Sequence, residues 1–378
     1  MDLASRRWPI LASSVLSFFA VGLTFFAIPP LVPELTERFG LSNLQVGVLM
    51  GAIAVPAIFL SIPLGAAIDR WQARPTGTAG LALMAVGAAL FAVSGSYVVL
   101  LIGRLIFGIG GLVINLLLAR LISRAFAGRE LSLAMGIFNS VYPASMILIF
   151  SFHGNLLHLV GWRGELGILA AVVLVAVPLH LVTVPRGEGA ATTAATSRPR
   201  VRISPPLVAL AGSWMLFFVA FVSVFTFAPE WAGGGSRGLL IITAVTWVSL
   251  LLNPIVGHLI DRFGSPRTWV VAGQLLFAAV LTAMALGLLP PLAAMLLVGL
   301  AAATIPTAVY SLPARLVEPG QVGFAFGFIT AFSNLGTLAG PAAAGAIRDA
   351  TSSWFPLWLA LAAVALLAAL AAAAVRGT

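Results

Sequence analysis

Apolar runs of about 20 residues recur from one end of this chain to the other, the length needed to cross a bilayer as an α-helix. Twelve can be placed. The first six cover 9–31, 43–64, 77–95, 97–119, 131–154 and 165–184; the last six cover 205–228, 237–260, 268–288, 291–311, 322–347 and 354–375. Inside a bilayer the backbone finds no water, so a spanning segment must satisfy its own polar groups, which a helix does. The short alternating segments of a transmembrane β-barrel are not visible. Only 8% of the 378 residues are charged, against about 25% in ordinary soluble domains.

Charge gathers in the breaks between runs. All 20 basic residues are arginine, and the formal net charge is +9. An even number of spans puts both termini on one side. With the N-terminus inside, fifteen arginines fall in inside segments and four outside, at Arg38, Arg163, Arg237 and Arg348. That bias predicts a multi-pass inner-membrane protein with both termini cytoplasmic, and it explains the net charge without nucleic-acid binding. The first run continues beyond a signal-peptide core and lacks a clear small-residue cleavage site, so it reads as a retained helix. There are no cysteines, which excludes disulfides and thiolate metal sites. His153 and His158 are five apart, do not share a clean helix face and have no acidic residue between them, so no metal site is expected. Nothing resembles a nucleotide-binding loop. The chain therefore reads as a non-enzyme with no cofactor, and a proton is the candidate coupling ion.

Two charged turns repeat. Gly65-Ala66-Ala67-Ile68-Asp69-Arg70, with Arg74 beyond, is echoed by Gly257-His258-Leu259-Ile260-Asp261-Arg262, with Gly264 and Arg267 beyond; the aspartates are 192 residues apart. A second echo, Ala134-Met135-Gly136 and Ala325-Phe326-Gly327, has an offset of 191 residues. The shared offset marks an internal duplication. The expected fold is an all-α polytopic membrane protein with twelve transmembrane helices in two pseudo-symmetric six-helix bundles. The first bundle is 1–184, the second 205–378, and 185–204 is a small, polar, basic cytoplasmic linker.

On these residues the chain resembles the major facilitator superfamily of secondary transporters. Gly65, Asp69, Arg70 and Arg74 match its signature between the second and third helices, with Trp71-Gln72 in place of the usual glycine-containing turn; the later copy keeps Gly264. Arg104, Gly108 and Gly110 match the signature of the fourth helix, and Gly161-Trp162-Arg163 matches the approach to the sixth. Asn139-Ser140-Val141-Tyr142-Pro143 stands where drug antiporters carry a Gly-Pro signature. The resemblance implies that Gly65, Asp69, Arg70 and Arg74, and the paired Gly257, Asp261, Arg262 and Arg267, act in gating.

The remaining candidates come from residue type and placement. Arg104 lies within a span, where facing lipid is expensive, so it should point inward. It is a coupling or central polar residue, with substrate-anion contact and a structural hub as the other readings. Glu34 and Glu230 follow prolines at the outer side and complete the coupling set. Thr24, Asn115, Asn139, Tyr142, Trp214, Thr243, Thr246, Trp247, Thr304, Tyr310, Ser333 and Asn334 are candidates to line a solute site. The expected function is secondary transport of a small organic solute, best read as an organic anion, by alternating access in a functional monomer surrounded by lipid. The alternatives are proton-coupled multidrug or metabolite efflux and, further off, a non-transporting scaffold.

Overall fold

The computed structural model describes residues 6–68, 71–126, 131–186, 203–317 and 322–375. Every described element is helical: α1 (Arg7–Phe26), α2 (Ile28–Phe39), α3 (Asn43–Gly51), α4 (Val55–Ile68), α5 (Ala73–Ala92), α6 (Tyr97–Ala125), α7 (Leu131–Thr183), α8 (Pro205–Trp231), α9 (Gly235–Phe263), α10 (Pro266–Ala285), α11 (Pro291–Ser311), α12 (Pro313–Leu316), α13 (Val322–Thr351) and α14 (Trp354–Ala373). Ten described stretches are long and apolar enough to span a membrane. The longest helix, α7, is two helices joined at Gly161, whose φ of 68° and ψ of 172° no helix contains. The left-handed region is open to glycine at little cost, so the chain can turn there without a loop. With α7 counted as two arms and α13 included, twelve spans result.

The two halves pair their helices in the same pattern. In the first, α1 packs on α7, α4 on α6, and α5 on both α6 and α7. In the second, α8 packs on α13, α9 on α11, and α10 on both α11 and α14. The contacts form two compact units: Met1–Phe39 with Ala52–Thr196, and Gly40–Gly51 with Ser197–Thr378. The division falls inside the second span, where a 3₁₀ stretch, Ala52–Ala54, separates α3 from α4.

Within the first unit, glycines set the distance between α5 and α6. A methyl group on Gly87 would lie 2.5 Å from the Phe107 nitrogen, and one on Gly103 would lie 2.9 Å from the Gly87 oxygen. Membrane helices gain no hydrophobic energy from each other that lipid does not already offer, so close backbone contact is what holds them. At one end of this unit, arginines finish helix carbonyls: Arg120 donates to the Ile68 oxygen at the end of α4, and Arg6 to the Val182 oxygen at 3.0 Å. Cations are favoured where helix C-termini leave carbonyls unpaired. In the second unit, Arg267 does the same for the Ala373 oxygen at the end of α14.

The start of α3 is held by a different device. Ser42 and Gln45 form a capping box: the Gln45 nitrogen donates to Ser42 Oγ at 3.2 Å, and the Ser42 nitrogen to Gln45 Oε1 at 3.0 Å. Asp349, at the end of α13, takes the next amides, accepting from the Asn43 nitrogen and the Leu44 nitrogen at 2.8 Å each. A carboxylate at a helix N-terminus satisfies orphan donors and opposes the dipole favourably. Asp349→Ala is expected to destabilise the start of α3 by about 1–2 kcal/mol, the usual cost of losing such a cap. Amide exchange at residues 43–46 should speed up while the α5–α6 seam stays protected; unchanged exchange there would remove the role given to Asp349.

Candidate functional site

The most informative charge inside the first unit is Arg104. It is 1% exposed. The helix geometry explains where it points. Gly103 faces α5, so Arg104, one position on, is turned about 100° away from that seam. Gly108 and Gly111 share its stripe, at spacings of four and seven. A methyl group on Gly108 would sit 2.5 Å from the Ile53 oxygen, and one on Gly111 would sit 3.7 Å from the Val21 side chain of α1. The Arg104 face of α6 therefore looks onto α1 and onto the second span at Ile53.

There the guanidinium meets the end of a helix. Pro29 and Pro30 lack the N–H groups that would bond the Phe25 and Phe26 carbonyls, so α1 stops at Phe26 and α2 starts at Ile28. Arg104 donates to the Thr24 oxygen at 2.6 Å. The Thr24 hydroxyl beside it is buried and has no hydrogen-bond partner. Helical threonines usually bond a carbonyl three or four residues back, so this hydroxyl is held open. Tyr142, on the first arm of α7, is near enough to interact electrostatically with Arg104. Its ring centroid is 5.0 Å from that of Phe26, 5.5 Å from that of Phe25 and 5.9 Å from that of Phe18. Gly22 and Ser145 bring α7 close to α1 at this level: a methyl group on Gly22 would lie 2.5 Å from Ser145 Oγ. Three residues from the sequence candidates, Thr24, Arg104 and Tyr142, are thus gathered at one junction of α1, α6 and α7.

The other candidates in this unit lie elsewhere. Asn115 is exposed. Asn139 lies on α7, with its side chain outside the described residues. Glu34 lines a cleft of about 350 Å³ with Glu37, Arg38 and Trp162, and its Oε2 is shielded without a hydrogen-bond partner. Arg38 and Arg163 both lie over the Trp162 ring, at 5.6 and 5.1 Å from its centroid. Of the first charged turn, Gly65 lies on α4 and Arg74 on α5, while Asp69 and Arg70 lie outside the described residues.

In the second unit, Trp214 is buried and its ring lies 5.6 Å from that of Tyr310, which is half exposed. Phe217 stacks on Trp214 at 5.3 Å and on Phe221 at 4.8 Å, so the aromatics form a continuous row along α8. Thr243, Thr304 and Ser333 are buried and donate to carbonyls of their own helices, and Asn334 donates to the Thr330 oxygen at 2.9 Å. Thr246 is buried, whereas Trp247 is 49% exposed. Glu230 pairs with Arg348 at 3.6 Å and is 53% exposed, the kind of surface pair worth little to stability. In the second charged turn, Gly257 and Asp261 lie on α9, and the Asp261 side chain lies outside the described residues. Arg262 covers the Phe263 ring at 5.6 Å. Gly264 ends α9 with a φ of 68°, which accounts for a glycine at that turn.

One buried pair lies outside the sequence candidates. His153 Nδ1 lies 2.9 Å from Glu165 Oε2, both side chains almost wholly buried. Counting only the residues between the two histidines hides this partner, because the turn at Gly161 returns the chain to His153. Gly161 itself, followed by Trp162-Arg163, is the available signal.

Spanning helices in two like-paired bundles, with a buried cation at a helix break, define a polytopic carrier. The chain belongs to the Major Facilitator Superfamily, whose profile matches residues 14–239 and 235–378. Among sequence relatives, Monocarboxylate transporter 11 of Mus musculus is 28% identical over 383 residues, covering 92% of this chain and 82% of that protein. The Lysosomal dipeptide transporter MFSD1 of Bos taurus is 30% identical over 147 residues, covering 36% of this chain and 31% of that protein. Among solved structures, a bacterial homologue of the human lysosomal transporter Spinster, inward-facing and unoccupied, superposes with a TM-score of 0.81 at 16% identity, covering 98% of this chain and 96% of that one. A point mutant of the nucleoside transporter NupG gives 0.78 at 15% identity, covering 98% of this chain and 100% of that one. These structures share the fold. The chain is a multi-pass membrane protein and a secondary transporter moving a small solute by alternating access; it is not an enzyme.

Proposed function

We propose that the solute is a small organic anion of the monocarboxylate class. The observation that carries this reading is the junction of Arg104 with the open Thr24 hydroxyl beside it. A carboxylate there would face a guanidinium in a site of low dielectric, where the planar fork of arginine matches two carboxylate oxygens. The Thr24 hydroxyl would donate to the same group, and the rings around Tyr142 would take a short apolar tail. Similarity along most of the chain to a protein named as a monocarboxylate transporter supports the same class. The arginine bias supports cytoplasmic termini, and the paired aspartate-arginine turns gate the inner side of a functional monomer.

The test is thermal stabilisation of the purified protein against a panel of short monocarboxylates, dicarboxylates, sugars, nucleosides and hydrophobic cations, followed by uptake into proteoliposomes. Monocarboxylates are expected to raise the midpoint selectively and to be taken up. A selective shift with nucleosides, sugars or hydrophobic cations, and none with carboxylates, would discard the anion reading. The last of these outcomes would favour drug efflux.

A further inference from the structure

Two ionisable side chains face each other inside the bundle of the first unit. His153 Nδ1 lies 3.0 Å from Oε1 and 2.9 Å from Oε2 of Glu165. His153 is 5% exposed and Glu165 is not exposed at all. Both belong to the apolar stretch Ser140–Thr183. They come together because Gly161 reverses the chain between the arms of α7: His153 lies about two helical turns before it, and Glu165 about one turn after. A lone charge buried here would be expensive, and either residue without the other would leave one. Ionisable groups inside a membrane bundle are rare, pair with one another or with backbone carbonyls, and mark substrate or ion pathways and proton relays.

The electrostatics make the pair a place for a proton. With Glu165 as a carboxylate, which only accepts hydrogen bonds, the hydrogen between the two groups sits on Nδ1. With the imidazole protonated on both nitrogens, the pair is neutral overall. Loss of one proton from Nε2 to solvent leaves a neutral imidazole against a carboxylate, one negative charge in a buried setting. The two states differ by a full charge, so they favour different degrees of opening toward water. We propose that His153 and Glu165 form a proton-binding site that exchanges one proton with solvent in the native protein, and that this proton is the ion coupled to solute movement. The link to transport is the first arm of α7, which carries His153 and, about three turns away, presents Tyr142 to Arg104.

Other charges at that end are engaged elsewhere. Helix α2 brings Glu34, Glu37 and Arg38, of which the first two line the Trp162 cleft and the third covers its ring. On α7 itself, Arg163 covers Trp162 and donates to the Ser94 oxygen at 3.3 Å, and His158 is exposed. Tyr97 starts α6. The ionisable residues of α1 and α5, Arg7 and Arg74, are at the opposite end, and Arg104 lies deeper along α6.

The inference holds whatever the solute, so two readouts keep it separate from the monocarboxylate reading. The first is a proton count by potentiometric titration of the solute-free, purified full-length protein from about pH 8 to about pH 5, the range in which imidazoles change charge. Wild type is expected to bind one more proton per chain than the doubly substituted H153Q/E165Q, which removes both charges and keeps polar groups in place. Equal counts would overturn the site. The second is monocarboxylate uptake into proteoliposomes over the same range. Wild-type uptake should vary severalfold with pH, and that of H153Q/E165Q should be flat. A double variant that accumulates to a lower yield but keeps the wild-type pH profile would show a structural clip and overturn the coupling. Should the double variant fail to accumulate, Glu165→Gln, which removes the carboxylate that would hold the second imidazole proton, is measured in the same way. If wild type takes up no monocarboxylate at any pH, the solute reading has failed; the proton count then decides the proton-binding site, and the pH profile of whichever solute the panel identifies decides the coupling.

Discussion

Arg104→Ala is expected to reduce uptake by about 30- to 150-fold and to abolish stabilisation by the solute. That range corresponds to the loss of about 2–3 kcal/mol, typical of a hydrogen bond to a charged group in a buried place. The guanidinium is the positive centre of the junction, and alanine offers neither charge nor donor. The protein should still fold. The substitution strips one donor from the Thr24 oxygen, which costs about 1–3 kcal/mol where no water replaces it. Arg104→Lys separates charge from shape: it keeps the cation and loses the planar fork. Intermediate uptake is expected, with the larger change in apparent affinity. The decisive comparison is the shift of the thermal midpoint by a carboxylate. If wild type and Arg104→Ala shift equally, Arg104 does not contact the solute.

The largest structural effect is expected at Gly340. A methyl group there would lie 2.6 Å from the Val219 Cα and against its carbonyl, while Gly336, one turn earlier, touches Met215 in the same way. These atoms are backbone, so no side chain can swing aside; α8 and α13 must move apart along their whole contact. Overpacking of this kind costs about 1–3 kcal/mol per substitution, and more when a bulky residue is forced in. Gly340→Ala should lower the midpoint measurably, and Gly340→Leu should prevent accumulation of monodisperse protein. Gly327, on the same helix, has open space around the corresponding position, so Gly327→Ala serves as the control and should be silent. A Gly340→Leu protein with the wild-type midpoint would contradict the packing of α8 on α13.

Much of the architecture is local and therefore readable. A span is recognised by the length of its apolar run, because the bilayer fixes that length and the helix satisfies its own backbone. The fourth-helix signature, Arg104 with Gly108 and Gly110, is also local: the glycines mark close helix contact, and a lone arginine must turn inward. The equal helix pairing of the two halves follows from the duplication seen at the two aspartate-arginine turns. The difference between those turns is visible as well: the first copy has no turn glycine, and Gly264 of the second has a left-handed φ.

What contacts each polar residue is not readable in this way. Thr24, Arg104 and Tyr142 come from three helices, and their meeting depends on how those helices rotate against one another. Most other hydroxyls among the candidates turn back to their own helices, a choice that composition does not reveal. The Ser42–Gln45 capping box can be found from its spacing, but not its completion by Asp349, 306 residues beyond Asn43. His153 and Glu165 are the clearest case. In the sequence they are two outer-side polar residues, twelve apart, with nothing to join them. One glycine with a left-handed backbone folds the chain back between them and makes a buried pair. Apolar length and charge bias determined that this chain spans a membrane in duplicated halves. Only the tertiary structure decided which charges are buried and with what partner, because that depends on the direction each helix faces.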